Sequence, residues 1–141
     1  MVDGLPEGLW KTYFESGQLK TIGERRQNKL EGKWFFYREN GNLERVINYT
    51  NDVKNGLEEV YSTEGILTVG YHYENDKKNG TALHYFSDGS ISKELEFIEG
   101  KENGKGVEYG TDGRIITFLT YKSGFLRSQE KVNRYSSKGE R

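Results

Sequence analysis

From residue 8 onward the chain alternates short runs of apolar and polar residues, and glycine cuts these runs at a fixed interval. Two glycine ladders, Gly8, Gly32, Gly56, Gly80, Gly104 and Gly17, Gly41, Gly65, Gly89, Gly113, each advance by 24 residues without a slip. Tyr13, Tyr37, Tyr61, Tyr85 and Tyr109 lie five residues after the first glycine, and Leu19, Leu43, Leu67, Ile91 and Ile115 two residues after the second. A looser aromatic ladder follows at Tyr49, Tyr73, Phe97 and Tyr121, with Arg25 in the equivalent place of the first copy. A fixed period of this length marks a repeat protein, in which each unit is too small to bury its own apolar face and does so by stacking on its neighbours.

Each 24-residue unit accommodates two strands and two turns. A first strand ends near the Tyr, a turn such as "ESGQ", "ENGN" or "SDGS" follows, and a second strand leads to a longer turn such as "NDVKNG" or "NDKKNG". Gly adopts positive φ without penalty and Asn and Asp tolerate it, which suits these segments to closing antiparallel hairpins. A glycine every nine to fifteen residues leaves no room for helical periodicity. The fold expected is therefore all-β: an elongated antiparallel sheet of about five stacked 24-residue hairpins, two strands each, with units starting near residues 8, 32, 56, 80 and 104. The array is expected to occupy residues 1–127. It opens on a partial unit at 1–7, either a natural cap or the remainder of a longer array, and is followed by a polar, basic, frayed tail at 128–141. Period-2 alternation puts the Tyr ladder, the residue two before each Tyr, the Leu/Ile ladder and the later aromatic on one face. That face is predicted to be the core.

Composition sharpens this picture. With 33% hydrophobic residues, and with ten Tyr, seven Phe and two Trp supplying much of the large apolar surface, the core must be thin and aromatic. A net charge of -1 with both signs interspersed lacks the sustained positive field that attracts nucleic acid or an anionic membrane, so no nucleic-acid partner is expected. No apolar run approaches the roughly 20 residues of a membrane-spanning helix, so no integral membrane segment is expected. Zero cysteines fit a reducing compartment, and no signal segment is evident. A cytoplasmic location is expected, or the cell envelope if a targeting segment has been removed. Open sheet edges invite pairing with other chains; Pro6 at one end and the Lys/Arg-rich tail at the other are expected to discourage it, leaving a monomer.

Catalytic chemistry is not legible. His72 and His84 sit at different offsets in the repeat, with no carboxylate pair to complete a metal site. "GKENGKG" from Gly100 lacks the spacing of a phosphate loop and precedes no helix. The sequons at Asn48 and Asn79 are accounted for by strand and turn chemistry. No catalytic residue, metal or cofactor is assigned, and the chain is expected not to be an enzyme.

Written as Gly-x-x-x-x-Tyr-x-x-x-Gly-x-Leu, with an aromatic and Asn-Gly following, the unit resembles the MORN repeat. "GKGVEYGTDG", from Gly104 to Gly113, is similar to that family's core, and "YENDKKNG" to its later stretch. "GLWKTYFESGQL" and "GKWFFYRENGNL", with Trp10 and Trp34 where Gly106 stands in the last copy, resemble the bacterial variant of the repeat, as in YwqK-type antitoxins. The resemblance covers roughly residues 4–127. It implies a non-enzymatic protein-interaction module, antitoxin-like in binding and neutralising a partner protein, or alternatively a structural or envelope-associated scaffold module. The candidate partner-binding residues are Trp10, Phe14, Trp34 and Phe36, an aromatic group opposite the Tyr ladder that the later copies lose: Glu58, Val60 and Ser62, then Ala82, His84 and Phe86, then Gly106, Glu108 and Gly110. Clustered aromatics suit a protein-binding patch, and they equally suit a second layer of core over the twisted sheet.

Overall fold

A computed structural model describes residues 7–132; Pro6 and its expected shielding role, with the rest of 1–6 and 133–141, lie outside the described residues. Thirteen strands form one sheet. They are β1 Gly8–Tyr13, β2 Leu19–Arg26, β3 Lys29–Tyr37, β4 Leu43–Thr50, β5 Val53–Tyr61, β6 Leu67–Glu74, β7 Lys77–Lys78, β8 Gly80–Tyr85, β9 Ile91–Ile98, β10 Lys101–Glu102, β11 Gly104–Tyr109, β12 Ile115–Lys122 and β13 Phe125–Lys131. The order across the sheet follows the sequence, β1-β2-β3-β4-β5-β6-β8-β9-β11-β12-β13, with β7 paired to β6 and β10 to β9. No helix occurs among the described residues. The expected ten strands become thirteen because two first strands break at Asn79 and Asn103, whose N–H groups donate to His72 and Glu96 carbonyls at 2.8 Å, and because β13 is added at the end. That strand corrects the expected boundary at 128: Ser128 to Lys131 pair with β12 rather than fraying.

Each unit has two kinds of tight turn. In the first, Phe14 N–H donates to the Gln18 carbonyl and Gly17 N–H to the Phe14 carbonyl, both at 2.9 Å. Gly17, at φ 95°, supplies the left-handed residue that closes a three-residue hairpin loop. The second turn is shorter than expected. Its two central residues both have positive φ: Gln27 and Asn28 at 51° and 67°, Asn51 and Asp52 at 49° and 72°, Asn75 and Asp76 at 50° and 70°. This is the signature of a type I′ turn, whose twist matches that of the flanking strands. Strand pairing resumes at once, as in Arg26↔Lys29 and Thr50↔Val53, so the "KNG" part of the expected long turn lies within or between strands.

The faces differ from the simple alternation. Tyr37 pairs with Leu43, but Phe36 pairs with Arg45, leaving Glu44 as an extra residue. The same bulge recurs at Tyr13, Tyr61, Tyr85 and Tyr109. One inserted residue reverses the parity of everything beyond it. The Tyr and Leu/Ile ladders stay together on what we term the Tyr face, whereas Tyr49, Tyr73, Phe97 and Tyr121 turn to the other, the Trp face, beside Trp34, Glu58, Ala82 and Gly106.

The expected core face is corrected accordingly. Trp34 (5% exposed), Ile47, Val69, Ala82 (1%), Leu95, Phe97 and Leu119 are buried on the Trp face, whereas Val46 alone among the buried hydrophobics of the described residues lies on the Tyr face. Tyr37, Tyr61 and Tyr85 are half-buried and Tyr13 is exposed. Among the described residues no second layer covers the Trp face, and its residues bury one another across neighbouring strands. Ala82, Leu95, Phe97 and Leu119 form the central cluster, with Tyr71 and Tyr121 packed against it. Tyr71 meets Tyr73, His84 and Phe97 edge-on at 6.5, 6.2 and 6.1 Å between ring centroids, the geometry that aromatic quadrupoles favour. Lys78 Nζ sits 3.7 Å from the Tyr71 centroid and Lys54 Nζ 4.7 Å from that of Tyr73, so lysine stems roof this thin core.

Candidate functional site

The four candidate aromatics are not one open patch. Trp34, on β3, lies flat over Gly23 of β2, where a Cβ would come within 2.1 Å of the indole. Its ring N–H donates to the Glu24 carbonyl at 3.0 Å. It is a core residue, and its surface is closed to a partner. Trp10 on β1 is 36% exposed, and the Arg25 guanidinium lies 4.9 Å from its ring and 6.0 Å from that of Trp34. Phe36 is half-buried and paired with Arg45 on one side and Thr21 on the other. Phe14, half-buried at the first turn, has Lys20 Nζ 5.5 Å from its ring centroid. Arg25 thus joins Trp10 to Trp34, while Phe14 and Phe36 stand apart.

In the third copy the Trp position is taken by Glu58, which is 3% exposed. Its carboxylate meets the Arg45 guanidinium at 3.1 Å and Lys54 Nζ at 3.5 Å. Burial, then the Glu58 charge, pushes Tyr73 up to about 12. The same two causes raise Tyr49 and Tyr71. These phenols are therefore held protonated at neutral pH. Burial, followed by Lys93 and Lys78, holds His84 below its ordinary value. The trio of Glu58, Arg45 and Lys54 was not anticipated, although a carboxylate in a column otherwise filled by Trp, Ala and Gly was its signal in the sequence.

The Tyr face carries a groove of about 290 Å³ at its N-terminal end, lined by Leu9, Ile22, Gly23, Glu24, Lys33, Phe35 and Tyr37. Its floor and walls are apolar and its rim carries one charge of each sign. Simple alternation had assigned this surface to the core, so it was not considered as a site. A second, more polar concavity of about 400 Å³ lies along the type I′ turns, among Lys77, Ile98, Glu99, Lys101, Asn103 and Ser123. No group of three metal-ligating side chains occurs among the described residues, and no helix among them is long and apolar enough to cross a membrane.

The profile of the MORN repeat variant matches residues 6–26 and 30–51. These stretches hold the first two copies, in which the column is Trp. The three later copies carry Glu58, Ala82 and Gly106 there and keep the same pairing and the same bulge. No curated protein matches the chain.

Proposed function

We propose that this chain is a non-enzymatic protein-interaction module, and in its most concrete form an antitoxin-like one that binds and neutralises a partner protein. Repeats of the MORN type generally serve as interaction modules at protein or membrane surfaces, and the variant repeat matches the two copies that carry Trp. The observation that carries the reading is the Tyr face, which nothing among the described residues covers. Its Tyr and Leu/Ile ladders lie half-exposed along the sheet and end at the groove, beside Leu9 at 63% and Tyr13 at 57% exposure. Contiguous apolar surface of this kind marks interaction sites, and half-exposed aromatics supply anchors at low conformational cost. The test is affinity capture of the tagged chain from its native cell, with mass spectrometry. The expected result is one protein recovered in near-equal amount, which arrests growth when expressed alone and is silenced by co-expression of this chain. Recovery of no protein in comparable amount would refute the module. A stoichiometric, harmless partner would favour the structural scaffold, the second reading, which the uninterrupted 24-residue register supports.

A further inference from the structure

We propose that the outer edge of β1 accepts an extended strand of the partner protein, antiparallel to β1, with an acidic residue opposite Lys11 and an apolar residue beside it opposite Trp10. This rests on the interaction-module reading and names how the contact is made.

Among the described residues β1 pairs with β2 alone, and all six of its residues are exposed. Phe14 N–H points back to the Gln18 carbonyl. Alternation along the strand then turns the amides of Thr12 and Trp10 toward β2 and those of Leu9, Lys11 and Tyr13 outward. The array itself shows what fits there. Every equivalent strand is covered by an antiparallel neighbour in one register: Phe35 by Ile22, Glu59 by Val46, Leu83 by Gly70 and Val107 by Glu94. The position opposite Lys11 is the counterpart of these covering residues, and the position opposite Trp10 is the counterpart of Ile47, which faces Glu58.

The side chains of β1 specify the rest. Lys11 has no ion-pair partner among the described residues, and a carboxylate directly across an antiparallel pair is its natural complement. Leu9 and Tyr13 flank it on the Tyr face and Trp10 lies on the Trp face, exposed at 63%, 57% and 36%, so an added strand removes apolar surface from water on both sides. The opposite edge is built differently. β13 carries Arg127, Glu130 and Lys131, the charges with which proteins blunt sheet edges.

The probe is the octapeptide ISKELEFI, capped at both ends, which copies residues 91–98 and places the equivalents of Glu94 and Leu95 opposite Lys11 and Trp10. Titrated to millimolar concentration into the 15N-labelled chain, it should shift the amides of Leu9, Lys11 and Tyr13 together with those of Ile22 and Phe35 in the groove. Lys11→Glu should weaken binding about three- to tenfold, and a peptide with Lys in place of its first Glu should restore it. Lys11→Pro, which removes an outward donor at an edge that tolerates proline, should abolish binding without moving the thermal transition. Shifts confined to β13, no shifts at millimolar peptide, or failure of the charge swap would overturn the proposal. So would light scattering showing a dimer that Lys11→Pro dissolves, since the edge would then be filled by a second copy. If affinity capture succeeds equally with Lys11→Pro, the module reading stands and strand addition falls. If the unaltered chain captures nothing, the module reading falls, and the titration still decides whether the edge accepts a strand.

Discussion

Replacing Trp34 by Ala tests which face holds the fold together. The indole is 5% exposed, covers Gly23 and donates to the Glu24 carbonyl at 3.0 Å. Truncating a buried Trp or Phe costs about 3 to 5 kcal/mol, and the lost hydrogen bond lies within that range at about 1 kcal/mol. A loss of about 4 kcal/mol is expected, a large part of the roughly 5 to 15 kcal/mol that stabilises a native domain. With a urea dependence of about 1.5 kcal/mol per molar, the midpoint should fall by roughly 2 to 3 M. Tyr61, half-buried on the Tyr face with its hydroxyl donating to Glu59 at 3.2 Å, should cost only about 1 to 2 kcal/mol on truncation to Ala. Gly23→Ala supplies the complementary test. Its Cβ would strike the indole, so it should cost about 1 to 3 kcal/mol by overpacking, and nearly nothing once Trp34 is Ala, because the two effects share one contact. If Tyr61→Ala costs as much as Trp34→Ala, or if the two mutations at 23 and 34 are additive, the assignment of the core to the Trp face is wrong.

Other tests address the titrating groups. Glu58→Gln should lose about 1 to 2 kcal/mol, less than a fully buried pair would, because Arg45 and Lys54 retain 40% and 27% exposure and water compensates them in part; urea denaturation reads the loss. Tyr73, raised to about 12 by burial and then by Glu58, binds its proton more tightly folded than unfolded. It therefore contributes stability that is present below pH 10 and is lost as pH rises toward 12. Among the several phenols that titrate late, absorbance at 295 nm should show a latest one that Tyr73→Phe removes and Glu58→Gln shifts toward the ordinary value. His84 is displaced the other way, below 6.5, so its neutral form favours the fold and stability should fall as pH drops through that value. Thermal melts from pH 7.5 to 5 should show a smaller decline for His84→Gln, and an equal decline would remove His84 from the account.

The sequence made the hairpin count, the first turn of each unit and the order of strands legible, because each depends on glycine and asparagine at a fixed spacing. The faces were hidden by Lys20, Glu44, Thr68, Ser92 and Ile116, the bulged residues, which carry no shared side-chain signal. Each adds one position between the Leu/Ile ladder and the later aromatic and so sends the two to opposite sides. That displacement moved the core to the Trp face and drew Trp34 out of the candidate binding group, while it left the groove around Phe35 and Tyr37 open. The type I′ turns were masked by the Asn-Gly that follows them, which looks like a turn and instead lies within or between strands. The strand from Phe125 was missed because its glycine ladder has ended; what holds it is pairing with β12, visible only once β12 is placed.

The strand order has a consequence for aggregation. The eleven strands of the main path, β1-β2-β3-β4-β5-β6-β8-β9-β11-β12-β13, are joined by ten antiparallel steps, so β1 and β13 point the same way. Two molecules meeting head to tail with their Trp faces on the same side would therefore juxtapose parallel strands, out of keeping with every junction in the sheet. With the Trp faces on the same side, antiparallel continuation is open only to like edges, β1 against β1 or β13 against β13, each closing about a two-fold axis. A fibre that kept one continuous Trp face would have to alternate both kinds of junction. Blocking either one stops such growth at a pair, so charges on β13 would be enough to keep one Trp face from running on from molecule to molecule.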